Sequence, residues 1–299
     1  MNIIKYKNLF FAISLVIIIP GIFALYTWGL KLGIDFAGGT LWEIKFTSKP
    51  TSQEDVKAFL SDQQVEYSSV ASTSDQSVLI RTKLTDENRL DELKSKFREK
   101  FGQTEDLRLE TVGPTISKEL TQKAILAVGI AILAVMLYVT WAFRQIPKPA
   151  SSIAFGICTV IALLHDVILV IGVFAILGHF FALEVDSLFI TALLTVLGFS
   201  VHDTIVVFDR IRENLKKYDD YPFAEVVNHS LLQTIGRSIN TSLTVIFVLL
   251  ALLLFGGESI KGFVLALLIG IVSGTYSSIF NAAPLLVIWH NLKRSKKTL

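Results

Sequence analysis

The chain has 299 residues, of which 52% are hydrophobic and only 18% are charged, and its mean hydropathy is +0.57. A soluble globular protein carries about a quarter charged residues and lacks repeated apolar runs of about twenty residues, so this composition excludes a wholly soluble chain and predicts a polytopic membrane protein. The single cysteine, Cys158, excludes an intramolecular disulfide. The sequence contains no nucleic-acid motif, phosphate-binding glycine loop or metal-type spacing of cysteine and histidine, so we expect neither nucleic-acid binding nor a metal site.

The first predicted element is an apolar run at residues 9–28, which follows Lys5 and Lys7 and ends at Trp28. The run is too long for a removed signal peptide and lacks the small-residue cleavage site of one, so it predicts a retained membrane span. Trp28 suits the position of an aromatic anchor at the membrane interface. Residues 1–28 are therefore predicted to form the N-terminus and the first span.

Residues 29–122 differ from the rest of the chain because they have the composition of a soluble domain. Residues 85–100 carry Leu90, Leu93 and Phe97 at helical spacing, which predicts an amphipathic helix. The predicted order is strand, helix, strand, strand, helix, strand, at residues 40–47, 52–63, 66–71, 78–82, 85–100 and 106–112. That order is typical of the split β-α-β, ferredoxin-like fold, so we predict a small α+β domain between the first and second spans.

A five-helix membrane domain is predicted over residues 123–299, with a tail after the last span. Its spans are predicted at residues 123–143, 151–177, 187–208, 232–255 and 262–291, which makes six transmembrane helices in the whole chain.

The distribution of positive charge predicts the orientation of these spans. The short loops at residues 178–186 and 256–261 contain Lys261 as their only lysine or arginine. On the opposite side lie Lys5, Lys7, Arg144, Lys148, Arg210, Arg212, Lys216, Lys217, Lys293, Arg294, Lys296 and Lys297. Because positive residues concentrate on the cytoplasmic side, we predict a multi-pass protein of the cytoplasmic (inner) membrane with both termini cytoplasmic and the small domain extracytoplasmic.

The most informative polar residues lie in the fourth predicted span, where His202 and Asp203 are consecutive. If the water interface begins at Asp209, Asp203 lies roughly 7–8 Å inside the membrane. An ionisable residue at that depth costs several kcal/mol unless it is partnered, and it marks a proton or ion path more often than a packing site. A neutral, hydrogen-bonded packing role is the alternative for Asp203.

The fifth predicted span carries Arg237 at about the same depth, on one helix face with Asn240, Thr241 and Thr244. Because the fourth and fifth spans are antiparallel neighbours, we predict an ion pair between Asp203 and Arg237. The alternative is that the long Arg237 side chain extends to the cytoplasmic interface.

Two further polar features lie in the third and sixth spans. His165 and Asp166 are predicted nearer the outer side, where they could relay protons to Asp203 or form a locked structural hydrogen bond, and both readings stay open. The sixth span has a stripe of small and polar residues that predicts close helix packing. Its members are Gly270, Ser273, Gly274, Ser277, Asn281 and Pro284.

The segment after the first span, Gly33-Ile34-Asp35-Phe36-Ala37-Gly38-Gly39-Thr40, resembles the glycine-rich signature of the SecD/SecF protein-export family. The signature positions are Gly33, Asp35, Gly38, Gly39 and Thr40. Residues 112–114, 164–166, 204–214 and 237–242 resemble the SecF branch in particular. The resemblance covers nearly the whole chain, and several motifs in the right order make it more specific than any single one. The family usually has asparagine where this chain has His202, which could keep the hydrogen bond of the amide or add a second titrating group.

The resemblance implies a subunit of the bacterial Sec machinery, within the resistance-nodulation-division superfamily, that is not an enzyme. It implies a SecD-like partner subunit, the SecYEG channel beside it, a translocating unfolded polypeptide as cargo, and membrane lipid around it. The proton gradient replaces any bound cofactor. On this hypothesis, protonation of Asp203 weakens its pair with Arg237, lets two spans shift, and drives the outer domain between holding and releasing the polypeptide.

Three other functions are weighed against this one. A proton-driven small-molecule exporter of the same superfamily would carry about twelve spans and two large outer domains in one chain. A non-transporting translocon scaffold would leave the polar positions as packing. An intramembrane aspartyl protease is disfavoured, because Asp166 and Asp203 lie at different predicted depths and no Gly-x-Gly-Asp motif is present.

Overall fold

The computed structural model of the protein describes residues 2–47, 51–73, 77–83, 86–218 and 220–295, which form two compact units. The membrane unit comprises Met1–Leu30, Leu126–Leu183 and Leu188–Leu299, and the small domain comprises Lys31–Ile125 together with Glu184–Ser187. The tail residues Lys296 and Lys297, and the first residue of the helix predicted at 85–100, lie outside the described residues.

The helices and strands of the described residues are, in chain order, α1 (Lys7–Trp28), α2 (Ile34–Ala37), β1 (Gly39–Phe46), α3 (Gln53–Asp62), β2 (Tyr67–Thr73), β3 (Ser77–Thr82), α4 (Glu87–Phe101), β4 (Thr104–Val112), α5 (Pro114–Ala142), α6 (Ser152–Phe181), α7 (Ser187–Lys217), α8 (Phe223–Phe255), α9 (Glu258–Ser277) and α10 (Ala283–Ser295). A 3-10 turn, Ile4–Tyr6, precedes α1, and a π-helical segment, Ser278–Ala282, joins α9 to α10.

The small domain has the predicted α+β architecture. Its four strands form one antiparallel sheet in the order β2-β3-β1-β4, which is the order of a ferredoxin-like fold. Trp42, Ile44 and Phe46 of β1 are buried against Phe59 of α3 and Phe97 of α4. Alternation along β1 therefore places its apolar side chains on the face that the two helices cover.

Six helical segments of the described chain are long and apolar enough to cross a membrane. They are Ile4–Trp28, Pro114–Ala142, Ser152–Phe181, Ser187–Lys217, Phe223–Phe255 and Ser259–Lys293. The predicted six-span fold class is confirmed.

Several helices extend beyond the predicted spans. The predicted fourth span ends at residue 208, whereas α7 continues to Lys217, and α8 begins at Phe223 rather than at residue 232. The extensions hold each other in place, because Nδ2 of Asn214 donates to Oγ of Ser230 over 2.9 Å in a buried contact. Apolar runs therefore mark only the most hydrophobic part of these helices and miss their amphipathic ends.

Small residues let the membrane helices approach closely, as the stripe in the sixth span predicts. A Cβ atom added at Gly270 of α9 would overlap the side chain of Val196 of α7, and one added at Gly274 would lie 2.9 Å from Cβ of Ser200. This close approach brings the polar side chains of α9 against those of α7.

Candidate functional site

A fully buried carboxylate, Asp166 of α6, lies where α6, α7 and α9 meet. Its Oδ1 accepts a hydrogen bond from Oγ of Ser273 over 2.7 Å and lies 3.0 Å from Nδ1 of His165. Its Oδ2 accepts from Oγ of Ser200 over 2.7 Å and from Oγ of Ser277 over 2.8 Å. Both oxygens are thus fully engaged by three helices. This is the geometry of a structural anchor, and the proton relay through Asp166 stays a prediction.

The other ring nitrogen of His165, Nε2, is buried and has no hydrogen-bond partner among the described residues. The ring stacks on Tyr276 of α9 with centroids 6.3 Å apart, and the Tyr276 hydroxyl donates to the carbonyl oxygen of Phe10 over 2.7 Å. The surroundings of His165 are therefore formed by α1, α6 and α9.

Asp203 of α7 is also buried, with 2% of its surface exposed, but its environment differs from that of Asp166. Its Oδ2 has no hydrogen-bond partner among the described residues. The hydroxyl groups of Ser242 on α8 and Thr275 on α9 are its hydrogen-bonding neighbours, and they also bond to each other over 2.5 Å. An under-partnered buried carboxylate is costly while it is charged.

The predicted ion pair between Asp203 and Arg237 is wrong for this chain. Arg237 is exposed and forms no ion pair within the described residues, whereas Asp203 faces inward. The buried positions on α8 next to it are Ser238 and Ser242, which lie on a different face of the helix. Arg237 precedes Ser238 by one residue, and one residue rotates the side chain by about 100° around a helix.

The predicted depths of the two residues do agree with each other. Asp203 lies about fourteen residues, or about 21 Å, before the end of α7 at Lys217. Arg237 lies the same distance after the start of α8 at Phe223. The prediction therefore fails on the direction in which Arg237 points, although the two residues lie equally far from the facing ends of their helices.

The other predicted site residues on these helices point away from Asp203. His202 is exposed, although it is next to Asp203 in the chain, and Asn240, Thr241 and Thr244 are exposed along the Arg237 face. Thr241 donates to the carbonyl oxygen of Arg237 on its own helix. Within the described residues, no group of three or more histidine, cysteine, aspartate or glutamate side chains could hold a metal ion.

The sequence did not predict the role of the loop before α7. This loop, Glu184–Ser187, is part of the small domain. The backbone N–H of Gly33 donates to the carbonyl oxygen of Val185 over 2.8 Å, and the N–H of Val185 donates to the carbonyl oxygen of Lys31 over 2.8 Å. Oδ2 of Asp35 accepts from the backbone N–H of Ser187, the first residue of α7, over 2.8 Å. The carboxylate thus satisfies one of the unpaired N–H groups at the positive end of that helix.

An ion pair fixes the same loop to the sheet. Nε of Arg81 on β3 lies 2.7 Å from Oε2 of Glu184, whose side chain is only 6% exposed. Oγ of Ser69 on β2 donates to the other carboxylate oxygen over 3.4 Å. Burial raises the pKa of the Glu184 carboxyl, and the Arg81 guanidinium offsets part of that rise. A signal was present in the sequence, because Glu184 and Asp186 are the only acidic residues of an otherwise apolar connection.

Two adjacent glycines shape the segment that holds the loop. Gly38 and Gly39 have φ angles of +75° and +127°, which disfavour residues with a side chain, and a Cβ atom on Gly39 would overlap the carbonyl oxygen of Thr82. Glycine at both positions lets β1 begin directly against β3.

Comparison with known proteins shows the family to which this chain belongs. The family model described as the SecD/SecF GG motif matches residues 23–49, and the one described as protein export membrane protein SecD/SecF, C-terminal, matches residues 92–292. The chain belongs to the SecD/SecF family. In this member, the GG motif is the segment that binds the loop before α7.

Relatives within the SecD/SecF family are similar over almost the full length. The protein translocase subunit SecF of Thermobaculum terrenum is 51% identical, over 97% of this chain and 94% of its own. That of Anaerolinea thermophila is 46% identical over the same shares. The protein translocase subunit SecDF of Bacillus subtilis is 36% identical over 97% of this chain but only 38% of its own length.

Solved SecDF structures share the fold. A crystal structure of SecDF from a Thermus species, described as a translocon-associated membrane protein, matches with a TM-score of 0.84 at 34% identity over 97% of this chain. A second, described as SecDF in a super-membrane-facing form, matches with a TM-score of 0.71 at 32% identity. This chain spans 39% and 40% of those two SecDF chains.

Proposed function

We propose that this chain acts as a SecF-type subunit of the Sec machinery, which uses the proton motive force with a SecD-like partner to promote late export of polypeptides. Near full-length identity of 51% and 46% to protein translocase subunits SecF supports this assignment. The family descriptions concern protein export, and they do not favour the small-molecule exporter. On this proposal the chain is a transport component and not an enzyme.

The observation that carries the proton-coupling part is the buried, under-partnered carboxyl of Asp203 between α8 and α9. Proton uptake removes a poorly compensated charge and supplies a donor to a site where Oδ2 lacks a partner. The packing of α7 against the hydroxyls of Ser242 and Thr275 then changes. The electrical part of the gradient contributes about 2.3 kcal/mol per charge per 100 mV, which is enough to bias two helix arrangements.

The same helix provides the route by which such a change acts outside the membrane. Asp203 lies on α7, and α7 begins at Ser187, whose N–H is bound by Asp35 of the GG motif. We infer that axial movement of α7 pulls on the loop at Glu184–Ser187 and on the segment that binds it. The small domain would then alternate between states that hold and release an emerging polypeptide.

We infer that a SecD-like subunit covers the exposed polar face of the membrane unit. Arg237, Asn240 and Thr241 are exposed on a helix that is long and apolar enough to span the membrane. Polar and charged groups facing lipid are costly, so this face is better covered by protein. In the Bacillus subtilis SecDF relative, most of the chain lies outside the part that matches this one. We therefore place a SecD-like subunit on this face, with the SecYEG channel as the neighbour of the complex.

The positive-inside rule supports the orientation, with the small domain outside the cytoplasm. A reporter fused near Lys83 in the small domain should be active outside the cytoplasm, and one fused near Tyr218, between α7 and α8, only inside. The reverse pattern would overturn both the orientation and the proposed direction of proton movement.

Export by proteoliposomes that contain the chain, a SecD-like subunit and SecYEG tests the proposal directly. With an imposed proton gradient, Asp203→Asn should abolish the gradient-dependent part of export, since the amide cannot titrate. Asp209→Asn is the matched control, because Asp209 lies on the same helix but is partly exposed and is paired with Arg212 over 2.6 Å. Normal export by Asp203→Asn, at normal protein level, would favour a scaffold without proton coupling.

A further inference from the structure

A cavity of about 800 Å³ opens at the end of the membrane unit that carries the turn between α7 and α8. It lies among the end of α5, the start of α6, the start of α8 and α10, and its volume falls within the roughly 300–1,000 Å³ typical of small-molecule sites. The residues that define its chemistry are Arg144, Lys148, Ser151, Tyr221, His290 and Lys293. Neither of the two carboxyl sites described above belongs to it.

The charge of this cavity is strongly one-sided. Arg144, Lys148 and Lys293 are exposed, and none of them forms an ion pair within the described residues. Among the residues that the structure describes, none of those lining the cavity is acidic. The Arg144 guanidinium lies over the Trp141 ring, 4.5 Å from its centroid, which orients the group without neutralising its charge. These three cations are therefore available to an anion from outside the described chain.

The position of the cavity indicates the source of that anion. The basic residues lie at or just beyond the ends of α5 and α10, and the neighbouring rings of Trp141 and Trp289 are 61% and 37% exposed. Exposed tryptophans at the ends of membrane spans are typical of the lipid headgroup level. The cavity wall also includes the apolar side chains of Ile146 and Phe223. A ligand there meets both cations and apolar surface.

We propose that this cavity binds the phosphodiester headgroup of an anionic phospholipid, with phosphatidylglycerol as the simplest example. Basic pockets between membrane helices bind such headgroups because juxtamembrane cations gain about 1 kcal/mol each near anionic lipid. Arg144 provides a fork for the phosphate oxygens, while Lys148 and Lys293 act as point charges. The apolar wall receives the first part of the acyl chains. Free inorganic phosphate shares the charge chemistry but leaves that wall uncovered.

Native mass spectrometry of the purified full-length chain, titrated with dioleoylphosphatidylglycerol, tests this site. The pocket variant is Lys148→Gln with Lys293→Gln, and the matched control is Lys216→Gln with Lys217→Gln, two exposed lysines at the end of α7 outside the cavity. The pocket variant should weaken phosphatidylglycerol binding about 25-fold, and the control should leave it within twofold. Both variants must elute as the native chain does.

Each other outcome overturns the proposal. Equal loss in both variants, or equal binding of dioleoylphosphatidylcholine, would assign the effect to diffuse surface charge. Displacement of the lipid by micromolar inorganic phosphate would make free phosphate the ligand. Saturable binding of a single-stranded RNA oligomer that the pocket variant abolishes, without lipid binding, would assign the cavity to nucleic acid. Absence of any saturable phosphatidylglycerol binding would leave no lipid site.

Discussion

Replacing Asp166 with asparagine decides whether this buried carboxylate is a structural anchor or a proton relay. It accepts hydrogen bonds from Ser200, Ser273 and Ser277 over 2.7, 2.7 and 2.8 Å. A hydrogen bond to a charged group contributes about 1.5–3 kcal/mol, against about 0.5–1.5 kcal/mol for a neutral one. Removing the charge should therefore lower the free energy of unfolding by about 1 kcal/mol per serine, or about 3 kcal/mol in total. The new amide N–H group would also face serine hydroxyls that now donate.

Titration of the detergent-solubilised protein with sodium dodecyl sulfate, followed by circular dichroism, measures this loss of stability. Asp203→Asn is the internal control, because Oδ2 of Asp203 has no partner to lose within the described chain. Its free energy of unfolding should not fall, because the substitution removes a poorly compensated buried charge. Ser277→Ala should cost less in the Asp166→Asn background than in the native protein, since the bond it removes has already been weakened.

The opposite result would contradict a structural role for Asp166. If Asp166→Asn unfolds at the native detergent concentration but loses gradient-dependent export, the carboxylate acts by titrating. In that case the four contacts at Asp166 would contribute little to stability, and the estimate from hydrogen-bond strength would be wrong.

Two further predictions concern the loop before α7. Asp35→Ala removes the acceptor at the start of that helix, so hydrogen–deuterium exchange should accelerate at residues 184–187. The acceleration should correspond to a loss of about 1 kcal/mol in the local free energy of opening. Unchanged exchange there would contradict the contact. Burial raises the pKa of Glu184 above its ordinary value of 4.5. The stability that the neutral carboxyl contributes to the folded protein is therefore fully present below pH 4.5, and it is lost as the pH rises through the pKa of the folded state. The stability of the native protein relative to Glu184→Gln should therefore fall as pH increases, and a pH-independent difference in thermal melting would contradict this prediction.

Local pattern was sufficient to predict the six spans and the small domain. Hydropathy and periodicity are properties of neighbouring residues, and both the ferredoxin-like strand order and the membrane helices follow from them. For the amphipathic ends of α7 and α8 the sequence predicts only a connection, because their charges resemble those of a loop when only the apolar run is considered. Their helical form is stabilised by tertiary contacts such as the one between Asn214 and Ser230.

The sequence by itself determined how far along its helix each polar residue lies, since that position is counted along one segment of the chain. It could not determine where they point. Arg237 shares the level of Asp203 but faces outward, because the packing of α8 on α9 buries Ser242 against Thr275 and sets the rotation of α8.

Only the tertiary structure decided the partners of Asp166 and Asp35. The three serines that donate to Asp166 are 34, 107 and 111 residues away in the chain, and Ser187 is 152 residues from Asp35. No window of sequence contains both members of such a contact. The physical reason is that a side chain's hydrogen bonds depend on which helices pack together, and close packing at glycines such as Gly270 and Gly274 settles that choice.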